Sequence, residues 1–130
     1  MFFYYPAILI STLGYGFFTC RKLIKLNTNN LGYHGITGIF FLLIISYISS
    51  QFLPHNFTFN SIILIIGIIL FLFNFREFMI KINDIRLLLL LLILSLIFIL
   101  VGKNHDDFFY YHFQYMVMLT EYPHPIGLGN

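Results

Sequence analysis

Residues 57–75, FTFNSIILIIGIILFLFNF, carry no charged side chain, and their centre is almost entirely isoleucine and leucine. At about 1.5 Å of rise per residue, a helix of this length comes close to crossing a hydrocarbon core of roughly 30 Å. Immediately before it, Pro54-His55-Asn56 interrupts a second apolar run, residues 33–53, YHGITGIFFLLIISYISSQFL. So short a connection predicts a tight antiparallel helical hairpin of two spans with His55, read as a solvated turn residue, at its tip. Gly35, Gly38, Ser46, Ser49 and Ser50 supply small side chains for close helix approach, because packing drives association in lipid. His34 reads as an interfacial residue rather than a ligand, since no other ligand type lies within a helical turn of it.

Outward from this hairpin the pattern repeats. Residues 1–20 contain no charge, and Arg21, Lys22 and Lys25 follow them. That order is the reverse of a secretory signal peptide, so the segment reads as a first span. Pro6 falls in its first turns, where a missing N–H costs least. A polar connection, residues 26–31, leads into the second span. After the third span, residues 76–86 (REFMIKINDIR) mix charge with apolar residues as a short surface helix would. Residues 87–101 then have only Ser95 as a polar member. Arg86 and Lys103 extend this short run by snorkelling, giving a fourth span. The expectation is therefore an all-α integral membrane protein: a transmembrane region over residues 1–104, with spans at about 2–20, 33–53, 57–75 and 86–102, then an outer interfacial helix or loop over 105–130.

Composition agrees with this class. Of 130 residues 59% are apolar and 9% charged, with a mean hydropathy of +0.88, which is not the profile of a soluble domain. Aromatic residues at segment ends suit headgroup depth. The net charge of +2 implies no nucleic-acid partner. The single cysteine, Cys20, excludes an intrachain disulfide and reads as a packing residue. Of the seven basic residues, Arg21, Lys22, Lys25, Arg76, Lys81 and Arg86 lie in the first and third connections, and only Lys103 elsewhere. The positive-inside rule then puts the N-terminus, the Pro54 turn and the tail on the outer face. The four apolar cores hold no ionisable residue at mid-membrane depth, which argues against an ion-coupled transporter or proton relay.

The candidate chemistry lies in the tail, His105-Asp106-Asp107-Phe108-Phe109-Tyr110-Tyr111-His112, continuing to Glu121-Tyr122-Pro123-His124-Pro125 and Gly127-Leu128-Gly129-Asn130. On a helix His105 and His112 share a face, and Asp107 lies one turn from Tyr111. The competing reading is an interfacial loop whose aromatics sit at headgroup depth and whose acids are solvated. The spacing is not diagnostic of a metal site; carboxylates with histidine would favour magnesium or manganese if a cation binds. Residues 108–122 are expected to form an interfacial helix that ends before Pro123 and Pro125.

Asp107 followed by Tyr111-His112 and Gln114, then Glu121-Tyr122-Pro123 and Gly127-Leu128-Gly129-Asn130, resembles the first large outer loop of an uncharacterised bacterial family of polytopic membrane proteins. That family is in turn similar to the GT-C glycosyltransferases, multi-span enzymes that take sugar from a polyprenyl-phosphate carrier at the outer face. The matching motifs cover residues 107–130. The resemblance implies a bacterial inner-membrane location and a lipid-linked sugar donor. It also implies Asp107 as general base or metal ligand, with Asp106 as second choice, and Tyr111, His112 and Gln114 as substrate-binding residues. Members of this family continue through many more spans, so the chain reads as an N-terminal fragment, inactive alone. A non-catalytic membrane subunit or scaffold is the alternative.

Overall fold

The computed structural model describes residues 4–26, 28, 30–74, 82–101 and 108–124, and the described chain is helical with no strand. Helix α1 spans Tyr4–Phe18 and passes into a π-helical turn at Thr19–Leu23. Helices α2 (Leu31–Ser50), α3 (Phe57–Asn74), α4 (Ile82–Val101) and α5 (His112–Glu121) follow. The all-α expectation is met.

Local sequence sets the element ends. Asn30 caps α2, its side-chain oxygen accepting the Tyr33 N–H at 3.3 Å, and Asn56 caps α3 by accepting from Phe59 N–H at 2.9 Å. After the π turn, Lys25 takes a left-handed conformation with φ of 56°, and the Leu26 N–H donates to the Cys20 carbonyl at 2.8 Å. The bond reaches one residue further back than the six-to-one closure of an α-helix, as the wider π turn before it requires, with lysine in the left-handed position where glycine is the usual occupant.

Small side chains on two faces of α1 make it the central helix. On one face Ser11, Gly14 and Tyr15 meet α3: a Cβ on Gly14 would collide with the Gly67 carbonyl, and one on Gly67 with the Ser11 hydroxyl. The Tyr15 hydroxyl donates to the Ile63 carbonyl at 2.8 Å across the same interface. On the other face Thr12 and Gly16 meet α2, Thr12 opposite Gly38 and Gly16 opposite His34, so α1 and α2 run antiparallel. Backbones this close gain dispersion contacts that larger side chains would block. Instead of a simple hairpin of α2 on α3, α1 is the principal partner of both. Gly38 makes the close approach expected of it, whereas Gly35 faces open space.

His34 departs from expectation. It is fully buried, stacked on Phe17 with ring centroids 4.1 Å apart, and its Nε2 lies 2.9 Å from the Thr28 carbonyl. Residue spacing placed it at a helix end; the α1–α2 crossing covers it. Cys20 is also fully buried, its Sγ 3.2 Å from Thr37 Oγ1, in keeping with a packing role.

Among the described residues, Leu31–Ser50 and Phe57–Asn74 are the two helices long and apolar enough to cross a membrane, with mean hydropathies of 1.7 and 2.3. The sequence expectation was four. Helix α1 has fifteen regular residues before the π turn intervenes, carrying Arg21 and Lys22. Helix α4 starts at Ile82, so residues 82–86, expected in a surface connection, form its first turn and more. The remainder of that connection, 76–81, lies outside the described residues, as does residue 75 at the end of the expected third span.

Candidate functional site

Residues 108–111 form a 3₁₀ and turn segment that leads into α5. Pro123 stops the helix, because the residue before a proline is pushed to extended backbone, and Tyr122 has φ of −130° and ψ of 152°. The helix thus occupies the later part of the expected 108–122 interval. Helix α5 has no buried residue.

Tyr111, at the N-cap, and His112 and Gln114, in the first turn, are all exposed. Tyr111 and Gln114 are one turn apart and share a face, while His112 and Gln114 are just over half a turn apart and point away from each other. The structure therefore groups Tyr111 with Gln114 and sets His112 to the side. Their hydroxyl and amide can donate to and accept from a sugar hydroxyl or a phosphate. Glu121 lies seven residues beyond Gln114, on the same face. At the C-terminal end of α5 its charge opposes the helix dipole, so helix stability does not account for a glutamate there. Asp106 and Asp107 lie outside the described residues, as do His105 and Gly127-Leu128-Gly129-Asn130. The divalent-cation expectation rests on His105, Asp106 and Asp107 together with a distant histidine, and those three lie outside the described residues. Among the described residues no group of three or more His, Cys, Asp or Glu side chains could hold a metal ion.

The C-terminal end of α5 is fastened to the α2–α3 turn. His55 N–H donates to the Leu119 carbonyl at 2.7 Å, and His124 N–H donates to the Ser50 carbonyl at 2.5 Å. The His55 ring bonds Ser49 Oγ through Nε2 at 2.9 Å and lies 4.9 Å from the Phe59 ring. The His124 ring bonds the Tyr115 hydroxyl through Nδ1 at 3.0 Å. His55 is therefore half-buried and bonded through its ring Nε2 and its backbone N–H, not a solvated turn residue. Sequence reasoning misread His55 and gave Tyr115 and His124 no role. The available signal was a repeated Pro-His step, Pro54-His55 and Pro123-His124, each following an apolar helix.

A family model described as a domain of unknown function, DUF8201, matches residues 1–130. No curated protein and no solved structure matches the chain.

Proposed function

The chain belongs to DUF8201, a family of unknown function, along its whole length, and from the motifs of its tail we propose that it is a multi-pass membrane protein forming the N-terminal part of a GT-C-like glycosyltransferase. In this reading four helices, α1 with its π turn, α2, α3 and α4, span the bilayer of a bacterial cell membrane. The N-terminus, the Pro54 turn and the tail face outward, and α5 lies at the outer interface. A polyprenyl-phosphate sugar presents its headgroup there. Asp107 serves as general base toward an acceptor hydroxyl or holds magnesium or manganese, and Tyr111, His112 and Gln114 bind sugar or phosphate.

One observation carries the reading. The motif-bearing helix is bonded to the turn between the two helices that are long and apolar enough to span. Few residues of those spans are buried among the described residues, which suits helices that face lipid. A helix tied to that turn would lie where α2 and α3 leave the bilayer, at headgroup depth, with Phe109, Tyr110 and Phe113 exposed as interfacial aromatics are.

The test is substitution in cells that express the protein. Asp107→Asn should abolish sugar transfer while leaving membrane insertion intact, because a base must lie within about 3 Å of the hydroxyl it deprotonates. Asp106→Asn should have the milder effect. Normal transfer in both variants would end the glycosyltransferase reading.

A second reading, a non-catalytic membrane subunit or scaffold, is favoured by Gly35, a glycine on α2 with nothing within 4 Å of a Cβ built there. Small residues on an open helix face admit a partner helix. A stoichiometric partner that is lost on Gly35→Leu, with no transferase activity in the assembly, would establish it.

A further inference from the structure

We infer that the α2–α3 turn and residues 115–124 form a two-histidine clasp, in which Ser49, His55, Tyr115 and His124 are positioning residues that seat α5. Helix α5 has no buried residue, and its apolar side chains are exposed except for the half-buried Met118 and Leu119, so apolar packing contributes little to holding it. Its seat is polar. Two main-chain bonds run in opposite directions, His55 N–H to the Leu119 carbonyl and His124 N–H to the Ser50 carbonyl, so each segment both donates and accepts.

Both histidines use their rings in the same way. While the backbone N–H reaches the other segment, the imidazole bonds a hydroxyl of its own: His55 to Ser49 on the last turn of α2, and His124 to Tyr115 on α5. The rings thereby fix the direction in which each N–H points. The preceding prolines, Pro54 and Pro123, restrict the backbone on the other side of each histidine. The Asn60 amide completes the turn by donating to the His55 carbonyl at 2.8 Å. Fixing α5 at this end fixes the azimuth of the whole helix, and with it the direction in which Tyr111 and Gln114 face. That those two bind sugar or phosphate rests on the reading above; the clasp itself does not.

The test places spin labels at Phe52 and Met116, both exposed, in the full chain in lipid, Cys20 being buried from the label. Electron–electron distance measurement should give one narrow distribution. Tyr115→Phe, His124→Ala and His55→Ala should each lose the narrow peak while circular dichroism shows unchanged helix content. His124→Asn and His55→Gln should restore it, because the asparagine Oδ1 and glutamine Nε2 take the places of the imidazole Nδ1 and Nε2. A broad distribution in the wild type would overturn the clasp. So would narrow peaks in all three disrupting variants, or Asn and Gln variants as broad as the alanines. If the alanine variants misfold, Tyr115→Phe, which removes one oxygen from an exposed ring, decides the matter. A persisting clasp together with a silent Asp107→Asn would remove the glycosyltransferase reading alone.

Discussion

Gly16 lies so close to the main-chain carbonyl of His34 that any Cβ at position 16 would overlap its oxygen. Gly38 stands in the same relation to the Thr12 carbonyl one turn along, so glycine sets the α1–α2 spacing from both sides. Because backbone atoms are the obstacle, side-chain rotation cannot relieve the overlap. Gly16→Ala should therefore cost about 1–3 kcal/mol by overpacking. Gly35→Ala, in open space on the same helix as Gly38, should instead stabilise by roughly 0.5–1 kcal/mol through helix propensity. Unfolding titrations of the two variants in detergent check the contrast, and equal effects would remove the close crossing.

Tyr15 ties α1 to α3 through one hydroxyl. Tyr15→Phe keeps the ring against Phe41, whose centroid is 5.7 Å away, and loses only the bond to the Ile63 carbonyl. The expected loss is about 0.5–1.5 kcal/mol, and Tyr15→Ala should lose several times more by leaving a cavity. The same titrations measure both.

Lys25 occupies a left-handed conformation that costs an L-residue roughly 1–2 kcal/mol. Lys25→Gly should remove that cost, less glycine's larger entropy in the unfolded chain, for a net gain of about 0.5–1 kcal/mol. A thermal midpoint that fails to rise would show that the lysine side chain compensates.

Sidedness gives a further check. The bonds from His55 to Leu119 and from His124 to Ser50 require the Pro54 turn and the end of α5 to lie on one side of any bilayer the chain crosses. Single cysteines at Phe52 and Tyr122, both exposed, should react alike with a membrane-impermeant thiol reagent applied from outside, and one at Lys22 should not. Opposite reactivity of Phe52 and Tyr122 would break the topology. Equal protection of both, with Lys22 reactive, would invert the orientation that the basic residues predict.

Local chemistry alone carried much of the architecture. The uncharged runs around residues 33–53 and 57–75 became α2 and α3 because apolar side chains and internally satisfied backbone bonds favour helix wherever water is scarce. Asn30, Asn56, Pro54 and Pro123 punctuate the chain because a cap or a missing N–H acts over one turn, a range the sequence displays directly. The tertiary structure decided the rest. Glycines at 14, 16, 38 and 67 are alike in sequence to Gly35, and only the crossing of α1 with its two neighbours distinguishes close approach from open space. His34 read as interfacial because its cover, Phe17, lies on another helix. The His55 and His124 bonds join segments nearly seventy residues apart through backbone groups that every residue possesses, and no residue type announces such a partner; the fold chooses it by bringing one N–H within reach of one carbonyl.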